Sequence, residues 1–131
     1  MGQFFLEFKG DGMVVESLSE NNNPIVIDAT NDFGGQGKYH NPTELLCSSL
    51  VSCILIMMKS KADQLDISLD SMKVRVDYSY RNNKIHEIHS TFSLDNYLLE
   101  SQKKDLIAQI QYCPIHHAIS KDIKLYFDFK F

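Results

Sequence analysis

Two cysteines carry the residue chemistry that stands out in this chain. Cys53 ends the run Asn41-Pro-Thr-Glu-Leu-Leu-Cys-Ser-Ser-Leu-Val-Ser-Cys53, and Cys113 sits in the break Gln111-Tyr-Cys-Pro-Ile115. The first belongs inside a long helix and the second where a helix must stop at a proline. Both lie toward the apolar side of their segments, so the two thiols could meet in one core. A thiol pair drawn from distant parts of a chain points to redox chemistry rather than to a structural staple. Only the thiolate is a good nucleophile, so a reactive cysteine needs a cation, a helix N-terminus or a hydrogen-bond donor. Cys53, in mid-helix, gets no such help from its own helix. Its activation has to come from elsewhere in the fold, from a basic side chain such as Lys9 or a polar group near the helix start such as Glu44. Cys113 falls at the N-cap of the helix that Pro114 opens, where unpaired N–H groups favour a thiolate.

Each of these residues also has a plainer explanation. Free cysteine packs as a small hydrophobe. Cys47 lies about 120° around the helix from Cys53, so it is assigned to the core. Glu44 stands at the capping-box position, and Lys9 beside a turn is ordinarily solvated. Cys113, His116 and His117 are spaced i, i+3, i+4, with His40, His86 or His89 as a fourth ligand, but this matches no standard zinc pattern and Pro114 disturbs the geometry. Neither a metal nor a cofactor is expected. Gly34-Gly-Gln-Gly37 lacks the Gly-Lys-Ser/Thr ending of a phosphate loop and reads as a loop or hinge, and no Gly-x-Ser-x-Gly elbow marks a serine hydrolase.

The elements that must position these residues follow from periodicity. Gln3–Lys9 and Met13–Leu18 flank the turn signal Lys9-Gly-Asp-Gly12, and Pro24–Ala29 follows a polar loop, giving a hairpin and a third strand. Asn41-Pro42-Thr43-Glu44 is a helix start, with Asn41 as N-cap, Pro42 in the first turn and Glu44 closing the box. Leu46, Leu50, Cys53, Met57 and Met58 then recur at helical spacing, with Ile54 and Leu55 widening the face until the segment is apolar nearly all round. Met72–Tyr80 and Ile88–Leu94 alternate on either side of Arg81-Asn-Asn-Lys84, a second hairpin. Leu99, Leu106, Ile110 and Cys113 form one helical stripe ending at Pro114. A short helix from Pro114 through Lys121 precedes a final strand, Ile123–Phe131. Hairpins separated by helices make an α+β domain whose antiparallel sheets wrap a central apolar helix.

Composition narrows the function classes. A chain of 131 residues, 44% hydrophobic, fits one domain spanning 1–131. Its net charge of −4 and scattered lysines give no positive field for nucleic acid or anionic lipid. The apolar stretch Leu45–Met58 falls short of the roughly 20 residues of a membrane span, so a core helix and no membrane partner are expected. The N-terminal residues show neither a signal-peptide nor a myristoylation pattern, and a cytoplasmic location is expected.

Taken together, Asn41-Pro-Thr-Glu-Leu-Leu, Ser-Leu-Val-Ser-Cys53-Ile-Leu and Cys113-Pro-Ile, with strand-rich flanks, resemble the OsmC/Ohr family of thiol-dependent peroxidases over nearly the whole chain. The resemblance implies an intertwined homodimer with two sheets enclosing the cysteine-bearing helices. It also implies that Cys53 is the peroxidatic and Cys113 the resolving cysteine. The implied reaction reduces organic hydroperoxides through a Cys53 sulfenic acid that Cys113 resolves as a disulfide, with regeneration by a dithiol reductant, in the family often a lipoylated protein. Lys9 stands where the family carries its activating arginine. Thr43 stands where it carries a glutamate, the acid here following one residue later as Glu44. These two departures imply a divergent branch. The competing function is a non-enzymatic binding protein that takes a small lipophile or electrophile into an apolar dimer groove.

Overall fold

Lys9 donates its backbone N–H to the Val14 carbonyl at 2.9 Å, and Gly10 takes a φ of 89°, a value open to glycine at no cost. That turn joins strand β1 (Phe5–Phe8) to β2 (Val15–Ser19), which continues through a tight turn into β3 (Asn22–Ile27). The three form one antiparallel sheet in the order β1-β2-β3. The computed structural model describes residues 2–131 and divides into two compact units, one ending at Leu46 and the other beginning at Cys47.

The rest of the first unit is a loop held by a buried carboxylate. Asp28, 3% exposed, accepts the Ala29 N–H at 2.7 Å and the Gln36 N–H at 3.2 Å. Gly35 donates to Thr30 O and Gly37 to Ala29 O. The glycine-rich stretch is thus a closed loop whose amide groups are used internally, and the chain's own carboxylate fills the role an external anion would play in a phosphate loop. At its end the expected helix start is realised in full. Glu44 N–H donates to Asn41 Oδ1 at 2.8 Å and Asn41 N–H to Glu44 Oε1 at 3.1 Å, the two reciprocal bonds of a capping box.

Helix α1 runs from Pro42 to Gln64, 23 residues, well beyond the apolar stretch that ended at Met58. By length and hydropathy it could cross a bilayer, so shortness is not what identifies it as a core helix. Its packing is. Leu50, Ile54, Met58 and Ala62, four apart, are fully buried, one stripe set by the 3.6-residue period. Of the expected positions Leu50, Ile54 and Met58 are fully buried, whereas Leu46, Cys53, Leu55 and Met57 are only partly buried. Cys47, by contrast, is buried as expected, at 3% exposure.

The stripe packs with the second sheet. Strand β4 (Lys73–Arg81) turns at Asn82 and Asn83 into β5 (Lys84–Ser93). Both asparagines have positive φ, 55° and 61°, as a two-residue type I′ hairpin requires. Helix α2 (Glu100–Ile107), a 3-10 stretch from Ala108 to Tyr112 and helix α3 (Pro114–Ala118) then lead to β6 (Lys124–Lys130). β6 pairs with β5 in parallel, so this sheet is mixed where an antiparallel one was expected. The intervening helices form a crossover that returns the chain to the same end of the sheet, which dictates parallel pairing. Phe92 is fully buried and stacks on Phe129 at 5.1 Å between centroids. Two further boundaries differ from expectation. Leu99 is exposed at the head of α2, where Gln102 Oε1 accepts its N–H at 2.9 Å. Helix α3 ends at Ala118 rather than Lys121, and Ile119 is already extended.

Candidate active site

Pro114 fixes the local geometry of the site. It cannot continue the preceding 3-10 stretch, so Cys113 leaves the helical region (φ −74°, ψ 115°) and becomes the N-cap of α3. Its sulfur takes the place of the usual serine or asparagine oxygen, and His116 N–H donates to Cys113 Sγ at 3.3 Å. Cys113 is wholly buried.

Cys53 reaches the same place from α1. Its thiol hydrogen-bonds with the Cys113 sulfur, and the Ile115 N–H donates to Cys53 Sγ. Successive amides of α3, those of Ile115 and His116, therefore hold the two sulfurs, and both cysteines are free thiols. Two cysteines 60 residues apart in sequence are brought into contact. The hydrogen bond with Cys113 raises the Cys53 pKa above its ordinary value, burial raises it further, and the Ile115 N–H partly offsets both. Burial disfavours the charged form, whereas a donor to sulfur favours it. Cys53 is therefore less acidic here than an ordinary thiol.

The other candidate residues lie in or at the edge of the first unit. Lys9 forms an ion pair with Glu16 at 3.0 Å and is largely exposed; that hydrogen bond and charge raise its pKa. Glu44, besides closing the capping box, receives His40 Nδ1 at 3.4 Å. Each therefore has a partner from the first unit. The His40–Glu44 pair was not anticipated in sequence, although its i, i+4 spacing just ahead of a helix start was visible.

Around α3 the histidines do not converge on Cys113 as ligands. His117 Nε2 bonds to the Gln111 carbonyl oxygen, and the His116 ring lies 5.6 Å from that of His117 and 5.9 Å from Phe127. Sequence reasoning treated His116 only as a possible metal ligand. Its place at the third position of a proline-opened helix was the signal that it belongs to the thiol pair's surroundings.

Comparison with known proteins gives a consistent picture. The family model described as OsmC-like protein matches residues 35–128. A structure described as a putative osmotic stress induced and detoxification response protein from Psychrobacter arcticus is 25% identical. It superposes with a TM-score of 0.90 over 98% of this chain and 96% of that one. An OsmC-like protein from Mycoplasma pneumoniae is 18% identical, with a TM-score of 0.81 over 98% and 94% of the two chains. An organic hydroperoxide resistance protein from Legionella pneumophila is also 18% identical, with a TM-score of 0.70 over 100% and 98%. No curated protein matches the chain.

Proposed function

The chain belongs to the OsmC-like protein family, and on that premise we propose that it reduces organic hydroperoxides through the Cys53–Cys113 pair. The observation that carries this reading is the contact between the two free thiols, held by consecutive amides of α3. Structural relatives described as organic hydroperoxide resistance proteins support it. In the first step Cys53 thiolate attacks the O–O bond, becomes a sulfenic acid and releases an alkoxide, which takes up a proton as the alcohol. Cys113 thiol then attacks that sulfur, forming the disulfide and expelling water. A dithiol, such as a lipoyl group on a partner protein, reduces the disulfide by exchange and is itself oxidised. Lys9 as the activating cation and Glu44 as its acid belong to this proposal, as does a homodimer working in the reducing cytoplasm.

A second reading has one observation in its favour. The raised pKa of Cys53 leaves less thiolate for attack at neutral pH, as would suit a non-enzymatic protein that binds a small lipophile or electrophile. Turnover of cumene hydroperoxide with dihydrolipoamide decides between them. The peroxidase reading expects consumption well above the dithiol alone, lost in Cys53→Ser and slowed in Lys9→Ala and Glu44→Gln. A rate equal to the dithiol blank would leave the binding reading standing.

A further inference from the structure

Two buried side-chain polar atoms, Ser90 Oγ and His116 Nδ1, have no hydrogen-bond partner among the described residues. Ser90 is 1% exposed. An unpaired buried hydroxyl costs about 1–3 kcal/mol, and such atoms ordinarily find a protein group or an ordered water. Both lie beside the same side chain. Ser90 is the register partner of Phe127 across the parallel β5–β6 pair, so the two share the inward face of the sheet, and the His116 ring is 5.9 Å from the Phe127 ring. His116 is also the residue whose N–H holds the Cys113 sulfur. On a helix, a side chain leans toward the N-terminus, here toward Cys113.

We propose that Ser90 and His116 together bind one buried water, and that His116 uses it to take the proton of the Cys113 thiol when the disulfide closes. The hydroxyl can donate or accept, and an imidazole nitrogen does either according to tautomer. A water between them satisfies both atoms, as buried waters characteristically do. When Cys113 sulfur bonds to Cys53 sulfur, the Cys113 proton passes through the water to Nδ1, and the departing hydroxide is protonated to water as the imidazole releases that proton. The imidazole must start neutral, with a nitrogen free to accept. The titratable groups about it include His117 on its own helix, Cys113 at the head of that helix, Cys53 on α1, and Tyr78 on β4, the register partner of Ile88. The inward residues of β5 and β6 beside it, Ile88, Ser90, Phe92, Leu125, Phe127 and Phe129, carry no ionisable group. The proton-accepting role rests on the disulfide reading above, whereas the water site does not.

Two measurements test the two parts. For the site, a long-range proton–nitrogen NMR spectrum reads the His116 tautomer and ring-nitrogen shifts in the intact protein. Ser90→Ala should change the tautomer or the ring-nitrogen shifts of His116; unchanged nitrogen shifts overturn the shared water. Should the alanine variant not fold, Ser90→Cys, similar in size and a poor hydrogen-bonder, makes the same comparison. For the role, diamide closes the disulfide without any peroxide: Cys53 adds across its N=N bond, and Cys113 displaces the resulting hydrazine. The rate of that displacement should fall several-fold in His116→Gln, and its solvent deuterium isotope effect should change, because the Cys113 proton no longer passes to Nδ1. Equal rates and equal isotope effects in the two proteins overturn the role. Absence of peroxide turnover would sink the peroxidase reading while leaving the diamide result intact, so the two failures are distinguishable.

Discussion

At the scale of single residues, Cys53 and Cys113 share one hydrogen bond and two adjacent amide donors, and the consequences for acidity are opposed. The bond with Cys113 is the largest influence raising the Cys53 pKa. Removing it by Cys113→Ala should therefore lower that pKa and increase the thiolate fraction at neutral pH. Alkylation of Cys53 by iodoacetamide at pH 7 should accelerate, approaching about tenfold for each pKa unit recovered. A rate equal to or below that of the unaltered protein would show that burial, not Cys113, holds the proton. The order of oxidation follows from the proposed roles. Cys113→Ser should strand Cys53 as a sulfenic acid that excess peroxide drives to sulfinic acid, whereas Cys53→Ser should take up no oxygen. Cys47→Ser should change neither mass, since Cys47 is buried on another face of α1. Intact-mass measurement after limited peroxide checks all three. Oxygen retained in Cys53→Ser and absent in Cys113→Ser would reverse the roles. This residue scale was only partly legible in the sequence. The cap position of Cys113 follows from Pro114 alone, because proline dictates the conformation of its predecessor. The engagement of Lys9 by Glu16 was not legible, because it depends on strand register: Phe8 faces Val15 and Glu7 faces Glu16, a pairing that no local pattern specifies.

At the scale of elements, the sequence was most informative where one local interaction decides the outcome. The Asn41–Glu44 capping box and the Asn82-Asn83 turn were both expected, and both appear with the hydrogen bonds or dihedral angles that justify them. It was least informative where tertiary packing decides. An apolar segment with hydrophobic residues nearly all round offers several candidate faces, and the face chosen on α1 is the one that meets Phe92 and its neighbours. The parallel pairing of β6 was likewise set by the helical crossover rather than by its alternating pattern, which is the same for either direction. The loop around Asp28 allows a quantitative expectation. A Cβ at Gly35 would collide with the Ala29 carbonyl oxygen and come within 2.7 Å of Asp28 Oδ1. The first contact is with backbone, which cannot step aside without breaking the loop's hydrogen bonds. Gly35→Ala should destabilise the protein by about 1–3 kcal/mol, measured as a fall in the urea midpoint. Gly12→Ala, where a Cβ meets nothing within 4 Å, serves as the control. Equal midpoints for the two variants would mean that the loop is far more pliant than its bonding suggests.

At the scale of the whole molecule, β1 and α1 both carry large apolar side chains that the chain itself leaves exposed. Phe5, Leu6 and Phe8 in β1 are 62%, 57% and 71% exposed, and Ile56 on α1 is 68% exposed. Only 33% of the most apolar window of α1 is buried within the chain. Scattered exposed hydrophobics need no explanation, but several on one short strand, and a large one on the outer face of a long helix, are candidates for interaction surfaces. A second copy of the chain is the occupant proposed here, on the family likeness, which implies a homodimer. A stable interface buries about 1,200–2,000 Å² in total, and its apolar centre would draw on these side chains. Sedimentation equilibrium at micromolar concentration should return twice the chain mass of 15.0 kDa. A Phe5→Lys, Phe8→Lys variant should shift the equilibrium toward monomer by placing charges in a desolvated contact. If peroxidase turnover requires the dimer, specific activity in that variant should rise with protein concentration, whereas in the unaltered protein it stays constant over the same range. A unaltered chain that sediments as a monomer would remove the dimer and leave the exposed phenylalanines to a different partner.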